Sequence, residues 1–358
     1  MPGRRPIVPK DDSLCRRCQT NEPTITVRTE PLCNECFCRY VSTKVVKRME
    51  SFRVKYSDPG KERVLSLPLS FGACSTTLLH ILSEHMKGQV ERTGRSGYQL
   101  HIVHVDDGSG PTSKALLEKV KERFPEHTYS ILPVSEVLSL DGVSPLLQPP
   151  LSSDANGDTS SQTEPSVLDL LATLPSATSR ADTHRILLRR LITNFATNHN
   201  CESILWAHST TRLAELTLAE TAKGRGASLP WLVTDTASPS GPQNFYPMRE
   251  LLTKEIIAFS SLTSPPLDDL ILKAATKPAV STKNTSIDDL MRQYFESVER
   301  DYPSIVANVV RTTGKLKAPG VGAEEERCEL CEMPLGGAAP ERSRLCYGCI
   351  RTLPGVRG

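Results

Sequence analysis

Strand-like and helix-like patterns of hydrophobic residues alternate along the middle of the chain. Apolar runs with strand character lie at 62–70, 98–105, 129–134 and 203–208. Segments whose apolar residues recur at helical spacing lie at about 75–87, 113–124, 183–199 and 211–223. Because strands that alternate with helices favour a parallel sheet with crossover connections, the pattern predicts an α/β core.

Two further segments depart from this alternation. From Leu140 to Pro165 the chain is rich in Ser, Pro, Gly and Asp, which predicts a flexible surface insertion at about 140–166. Ser286, a good N-cap residue, opens a segment with a broad apolar stripe that predicts a helix to Arg300. Core packing is the simpler explanation of that stripe, and contact with a partner is the alternative.

Eight of the eleven cysteines form two sets with the same spacing, one near each end of the chain. The first set is Cys15, Cys18, Cys33 and Cys36, and the second is Cys328, Cys331, Cys346 and Cys349. In both sets, fourteen residues separate the two Cys-x-x-Cys pairs. Two such pairs offer four thiolates in a tetrahedron, which predicts a closed structural zinc site at each end. An iron–sulfur cluster is the main competitor, since four thiolates also hold one.

The composition favours a reduced protein without a membrane segment. The chain of 358 residues has enough core not to need disulfide bonds, and its start, Met1-Pro-Gly-Arg-Arg, lacks an apolar signal segment. No run of eighteen apolar residues occurs, so we expect no transmembrane helix and place the chain in the cytoplasm. The predicted domains are a first cysteine module with a basic helix at 1–56, an α/β domain at 57–318 and a second cysteine module at 319–358.

A net charge of +2 gives no bulk attraction to nucleic acid, so any such binding needs a local patch. One patch lies at 39–55, where six basic residues accompany the single acid Glu50. Apolar residues at helical spacing in the same stretch predict a helix with a mixed surface. A solvated helix face is the plain interpretation. The functional one is phosphate contact beside the first cysteine set, by Lys44, Lys47, Arg48 and Arg53.

The turn after the first core strand has the sequence Ser70-Phe-Gly-Ala-Cys-Ser-Thr76. Small residues at this place let backbone N–H groups and a helix N-terminus approach a phosphate. The turn resembles the pyrophosphate loop of ATP-dependent enzymes that adenylate tRNA, Ser-Gly-Gly-x-Asp-Ser. Phe71 replaces a glycine and would crowd the turn, while Cys74 replaces the carboxylate that positions metal and phosphate. We therefore expect a degenerate nucleotide site and argue against ATP binding, with the candidate residues Ser70, Gly72, Ser75 and Thr76.

The order of motifs makes a more specific resemblance. The cysteine set, basic helix and degenerate loop are followed by Val105-Asp-Asp-Gly108, Thr211-Arg-Leu-Ala214, Tyr246-Pro-Met-Arg-Glu-Leu251 and the last cysteine set. This order is similar to that of the second-subunit family of the eukaryotic cytoplasmic tRNA 2-thiolation complex, over nearly the whole chain. The resemblance implies a parallel-sheet pyrophosphate-loop core, of the adenine nucleotide alpha hydrolase type, flanked by two four-cysteine zinc modules.

The same resemblance implies the partners and the reaction. The chain would form a heterodimer with a catalytic thiouridylase paralogue, bind tRNA, and work with a ubiquitin-like sulfur carrier. The complex would place sulfur on the wobble uridine of lysine, glutamate and glutamine tRNAs. In such complexes the catalytic subunit uses core cysteines that can hold an iron–sulfur cluster, so we expect that cluster in the partner. Two alternatives remain: the chain is itself an ATP-dependent thiouridylase, or it is a zinc-ribbon scaffold protein.

The remaining candidates for chemistry are isolated residues. Cys74 would open a helix, where the dipole lowers a thiol pKa, but no second core thiol has a motif-like position. We expect Cys201 and Cys38 to be structural rather than reactive or metal-binding. His208 ends a strand at the ligand edge of the sheet and is a candidate for contact with RNA or a nucleotide, although an ordinary loop residue is the plainer interpretation. The Asp106-Asp107 pair ends another strand, where it either binds a metal or forms an ordinary turn before Gly108.

Overall fold

The computed structural model describes residues 11–56, 60, 63–108, 111–147, 166–272, 285–320 and 325–353. Within these residues, the strands form a two-stranded hairpin and a six-stranded sheet. The hairpin consists of β1 (Ile25–Val27) and β2 (Glu30–Leu32). The larger sheet consists of β3 (Val64–Pro68), β4 (Gln99–Asp106), β5 (Thr128–Pro133), β6 (Ser203–Leu205), β7 (Thr236–Ala237) and β8 (Gln243–Phe245).

Helices pack on both faces of the larger sheet. The first six are α1 (Asn34–Arg48), α2 (Ala73–Thr93), α3 (Pro111–Arg123), α4 (Val143–Leu147), α5 (Val167–Ala172) and α6 (Ala177–Asn198). The later ones are α7 (Thr210–Ala222), α8 (Leu229–Val233), α9 (Thr253–Leu262), α10 (Ile287–Asp301), α11 (Pro303–Thr313) and α12 (Tyr347–Thr352). No helix in the described part of the chain is long and apolar enough to cross a bilayer.

The strand order is β5-β4-β3-β6-β8-β7, and only the edge strand β7 runs antiparallel to its neighbour. The predicted α/β core is therefore confirmed. From β3 the chain builds outward through β4 and β5, and β6 then pairs with the other side of β3. This reversal opens a crevice at the carboxyl ends of β3 and β6, the usual ligand position in such sheets.

The sheet separates two hydrophobic clusters. Successive side chains of a strand point to opposite faces, and neighbouring residues accordingly fall into different clusters. Leu205 and Phe245 belong to the cluster that contains the first cysteine set, α1, α2 and α9. Ile204 and Tyr246 belong to the cluster that contains the second cysteine set, α6 and α7. Each end of the chain thus packs with its own cluster of the α/β core.

The two segments that depart from the strand–helix alternation agree only in part with the predictions. Most of the predicted insertion at 140–166 falls on residues 148–165, which lie outside the described residues. Residues 143–147 instead form α4 and bury three apolar side chains, so they belong to the core: Val143, Leu146 and Leu147. The predicted N-cap of α10 is confirmed, because Ser286 Oγ accepts a hydrogen bond from Asp289 N at 3.0 Å. The apolar stripe of α10 divides, with Phe295 buried and Tyr294 exposed.

Candidate functional site

The cysteines of the first set converge in what we call the N-terminal module, residues 11–36. Cys15 and Cys18 lie in the turns before β1, while Cys33 is the N-cap of α1 and Cys36 lies in its first turn. All four sulfur atoms lie within 4.8 Å of one another. The sulfur atoms of Cys18 and Cys33 are 3.8 Å apart. A tetrahedral ion with bonds of about 2.3 Å separates its sulfurs by about 3.8 Å, so the group can hold a metal ion.

The second set repeats this arrangement in the C-terminal module, residues 325–353. Cys328 and Cys331 lie in a turn, Cys346 is the N-cap of α12 and Cys349 lies within that helix. Their sulfur atoms also lie within 4.8 Å of one another, with 3.9 Å between Cys331 and Cys346. All four of these cysteines are buried, whereas Cys18 in the N-terminal module is exposed. Both groups can therefore hold a metal ion, but in different surroundings.

The backbone favours a thiolate at Cys15 of the N-terminal module. Burial would raise the pKa of the Cys15 thiol, but hydrogen bonds from the backbone N–H groups of Cys18 and Cys33 lower the pKa to about 6. A deprotonated sulfur is the form that binds a metal ion. Cys38 lies outside the sulfur cluster and is half-buried, and burial raises the pKa of its thiol, in agreement with a structural residue.

An arginine of α6 fixes the first turn of the C-terminal module. The Arg190 side chain is 6 % exposed and pairs with Glu332 at 2.8 Å. It also donates to the backbone carbonyls of Glu329 at 2.7 Å and Asp141 at 2.9 Å. Because Glu329 and Glu332 flank Cys331, this arginine joins the metal-binding turn to the core helix.

A buried cluster of charges supports the other half of the same module. Asp182 of α6 and Glu220 of α7 are fully buried, and both pair with Arg225. Thr352 of α12 donates its hydroxyl to Asp182 Oδ2 at 2.8 Å. Burial would raise the pKa of Glu220, but Arg185 and Arg225 lower it to about 2. The carboxylates are therefore charged. The C-terminal module contacts this cluster through the hydrogen bond from Thr352 to Asp182.

The degenerate loop keeps part of the expected backbone geometry. Phe71 has φ of +55°, in the left-handed region that suits the glycine of the motif. Its ring is buried against His104, with 4.7 Å between the ring centroids. The expectation that Phe71 crowds the loop is therefore wrong, because the ring points into the core. The Ser75 hydroxyl lies 3.2 Å from that of Ser70 and donates to the Gly72 carbonyl at 3.2 Å.

A cavity of about 650 Å³ opens beside this loop, at the crevice between β3 and β6. Ser70, Gly72 and Ser75 line it, whereas Thr76 is fully buried and does not. Sequence reasoning missed four arginines from later helices that also line the cavity: Arg185, Arg189, Arg212 and Arg292. The cavity therefore contains three of the four predicted loop residues, together with four arginines, of which only Arg212 lies in a motif noted in the sequence, Thr211-Arg-Leu-Ala214.

Two other predicted candidates lie at this edge of the sheet. His208 lines the cavity and stacks between Trp206 and Tyr246, at ring distances of 5.9 and 5.6 Å. Burial and then Arg212 hold its pKa well below the usual value, so its imidazole is neutral. Asp106 accepts a hydrogen bond from Gly108 N at 3.0 Å, which supports the plain interpretation of an ordinary turn.

The thiol chemistry of the loop differs from the expectation. Cys74 lies in the first turn of α2 and lines the cavity, but burial, followed by Glu215 and Glu299, raises its pKa to about 12. The prediction of a lowered pKa is wrong, because desolvation outweighs the helix terminus. A protonated thiol is a weak nucleophile. Cys201 is buried with a pKa raised to about 11 by burial, as expected for a structural cysteine.

The predicted basic residues lie on α1 and the segment that follows it. Lys44, Lys47 and Arg48 line one cavity of about 830 Å³, which Arg53 does not line. Three of the four basic residues have acidic partners, in the pairs Lys44–Glu250, Arg48–Asp235 and Arg53–Glu50. Lys47 is exposed and makes no ion pair with any described residue. Arg17 of the N-terminal module and Tyr56 also line this cavity, and sequence reasoning did not include them.

Relatives of known description resemble the chain over nearly its full length. The family model for cytoplasmic tRNA 2-thiolation protein 2 matches residues 286–344. A protein of that description from Phaeosphaeria nodorum is 45% identical over 99% of this chain and 98% of its own length. Another, from Pyrenophora tritici-repentis, is 42% identical over 99% of this chain and 98% of its own length.

The fold is also similar to that of a solved enzyme structure. The U34-tRNA thiolase NcsA from Methanococcus maripaludis, described with its 4Fe–4S cluster, aligns with a TM-score of 0.60. The alignment covers 89% of this chain and 92% of that enzyme at 15% sequence identity. At this identity the likeness concerns the fold, and it agrees with the pyrophosphate-loop architecture that the sequence predicts.

Proposed function

The chain belongs to the cytoplasmic tRNA 2-thiolation protein 2 family, and we propose that it is the partner subunit of a heterodimeric tRNA thiolase. In this proposal it binds tRNA and supports a catalytic paralogue during 2-thiolation of the wobble uridine in lysine, glutamate and glutamine tRNAs. A ubiquitin-like carrier supplies the sulfur, and the paralogue holds any iron–sulfur cluster. The family description names the cytoplasm, in agreement with the location that the sequence predicts.

The chemistry of the degenerate loop is the observation that supports a non-catalytic role for this chain. A pyrophosphate-loop fold is retained, but Cys74 replaces the carboxylate of the motif, and burial raises its pKa to about 12. Cys201 is the other thiol of the described α/β core, and it is buried with a raised pKa. A Cys74 thiol that stays protonated is a poor nucleophile for sulfur transfer, which supports a non-catalytic role for this chain. The paralogue would supply the nucleophile.

The two cysteine groups support structural zinc. Four thiolates fill a tetrahedral shell and leave no position for a substrate, so a bound ion stabilises the fold without taking part in the reaction. The Cys15, Cys18, Cys33 and Cys36 ligands would hold the hairpin against α1. The second set would hold the turn at 328–331 against α12. Sulfur separations of 3.8 and 3.9 Å suit an ion of this size.

One observation favours the alternative of an ATP-dependent thiouridylase. The cavity of about 650 Å³ beside the loop is open and carries arginines that suit phosphate groups. ATP binding by the isolated chain, abolished by Gly72→Arg, would support this alternative. A Cβ at Gly72 would meet only the Ser70 hydroxyl, at 3.5 Å, so the new side chain can enter the cavity without unfolding the loop.

The proposal is tested by the 2-thiouridine content of tRNA in cells that lack the chain. We expect loss of 2-thiouridine and full rescue both by the wild type and by a loop variant with Ser70, Cys74 and Ser75 changed to alanine. Rescue by the wild type alone would favour the enzyme alternative. Unchanged 2-thiouridine on deletion would discard the thiolation function, and absence of tRNA affinity would then favour a scaffold protein.

A further inference from the structure

Two adjoining cavities lie next to α1. The first, of about 830 Å³, contains the basic residues of α1. The second, of about 500 Å³, lies between the N-terminal module and α11. Lys44, Arg48 and Glu250 line both cavities, so the two lie side by side. We call this combined surface the cationic groove.

The cationic groove concentrates positive charge on a chain that is almost neutral. Its cations come from four separate parts of the sequence: Arg17, Arg28, Lys44, Lys47, Arg48, Arg249 and Arg311. Glu50 and Glu250 are the carboxylates that line the same two cavities. The net charge of the whole chain is only +2, so this excess is local. Such a concentration attracts a polyanion and raises its association rate.

At the junction of the two cavities, two arginines share one carboxylate. Arg48 pairs with Asp235, and Arg249 Nη1 lies 3.7 Å from the same carboxylate oxygen. The buried Arg48 Nε has no hydrogen-bond partner among the described residues. Burial lowers the pKa of Arg48, and the charge of Arg249 lowers it further. An anion that approaches the two guanidinium groups would offset their mutual repulsion.

The far end of the groove brings distant segments together. Arg28 is exposed in the turn between β1 and β2, and Arg311 is exposed on α11. Arg311 donates to the neutral Asn308 side chain at 3.1 Å and forms no ion pair with a described residue. Gly314 leaves room for the guanidinium of Arg249, since a Cβ there would lie 2.6 Å from Arg249 Nη2. Arg28, Arg249 and Arg311 thus line the same part of the groove, where a single ligand can contact all three guanidinium groups.

We propose that the cationic groove binds the sugar–phosphate backbone of the tRNA along the whole path between α1 and α11. Arg28, Arg249 and Arg311 are then RNA-contacting residues. The proposal rests on the proposed function, in which this chain binds tRNA. Guanidinium groups match phosphate in a bidentate geometry, which favours RNA over a less densely charged protein segment. Tyr56 lines the near end, is 57% exposed, and offers a ring on which an unpaired base can stack.

The test measures binding of the purified full-length chain to an unmodified tRNA by fluorescence anisotropy over a series of salt concentrations. Arg28→Ala combined with Arg311→Ala should weaken binding at least tenfold at low salt. It should also reduce the slope of log affinity against log salt by about 2, since each lost phosphate contact removes about 1. Arg92→Ala, which removes an exposed arginine of α2 outside the groove, should change neither value.

The outcomes separate this inference from the proposed function. If Lys47→Ala weakens tRNA binding but the Arg28 and Arg311 variants do not, RNA contact ends at α1 and the inference is wrong. If these variants keep tRNA affinity but no longer co-purify with the paralogue, a protein occupies the far end, and the inference is again wrong. If the wild type binds no tRNA, the tRNA-binding part of the proposed function is itself overturned. Melting temperatures equal to the wild type would establish that both variants are folded.

Discussion

The two cysteine modules have the same spacing but different surroundings. In the N-terminal module Cys18 is exposed, and the neighbouring Arg17 and Arg28 line the cationic groove. In the C-terminal module all four cysteines are buried, and two arginines of the core hold it in place: Arg190 and Arg225. We infer that one module presents cations to RNA and that the other completes the core.

The largest expected loss of stability comes from removing one metal ligand from either module. Cys346→Ser should lower the zinc content by one ion and destabilise the whole chain, because its module packs into the core cluster of α6 and α7. Structural zinc sites contribute on the order of 10–16 kcal/mol in isolated fingers. Cys15→Ser should also lose one ion and destabilise the chain, because its module packs into the other core cluster, with α1, α2 and α9. Zinc analysis and thermal melting measure both effects, and unchanged zinc content in either variant would contradict the assignment.

A smaller loss of stability is expected from replacing Arg190, the arginine that joins the C-terminal module to α6. Arg190→Met keeps the length of the side chain but leaves the carbonyls of Glu329 and Asp141 without their donor. Asp141 is exposed and Glu329 is half-buried, so water can reach both carbonyls. Loss of the two hydrogen bonds should therefore lower the free energy of unfolding by roughly 2 kcal/mol. Urea denaturation measures it, with the exposed Arg92→Met as the matched control. Equal stability of the two variants would mean that the module is not held by this contact.

Acid should weaken the buried charge cluster that contacts the C-terminal module. The folded-state pKa of Glu220 is about 2, below the usual value of about 4.3 for an unfolded chain. Stability from this depressed carboxyl is therefore fully present above about pH 4.3 and is lost as the pH falls toward 2. The pKa of Asp182 is lowered in the same direction by Arg225, Arg185 and Lys223, against the effect of burial. Melting temperatures between pH 7 and pH 3 measure the loss, which Glu220→Gln should reduce.

The smallest effect on stability is expected at the N-terminal surface. Lys47 is exposed and has no ionic partner among the described residues, so Lys47→Ala should leave the melting temperature unchanged. It should weaken tRNA binding several-fold and lower the salt slope by about 1, because a phosphate contact is lost. Lys119→Ala on α3 removes an exposed lysine away from the groove and serves as the control. Equal tRNA affinity of both variants would exclude Lys47 from the RNA contact.

Local patterns in the sequence were sufficient to predict the core and the metal groups. Alternating strand and helix patterns predicted the parallel sheet, and cysteine spacing alone identified both groups of four thiols. The N-cap at Ser286 was predictable for the same reason, because its partner Asp289 is only three residues away. Features set by short-range spacing can be predicted without a three-dimensional structure.

Features that depend on distant segments could not be predicted in this way. The pKa of Cys74 depends on burial by elements far along the chain, and the helix-terminus argument therefore gave the wrong direction. The cationic groove combines Arg28 with Arg311, which are brought together only by the fold. Phe71 was misjudged because its left-handed backbone turns the ring into the core.

The most direct test of the difference between the modules is hydrogen–deuterium exchange of the wild-type chain with and without tRNA. Bound tRNA should protect backbone amides of α1, of the turn around Arg28 and of α11. It should leave the amides at 328–331 and in α12 unchanged, because the cysteines of that module pack into the core and none of its residues lines the cationic groove. Protection confined to the C-terminal module, with none at α1, would contradict the account.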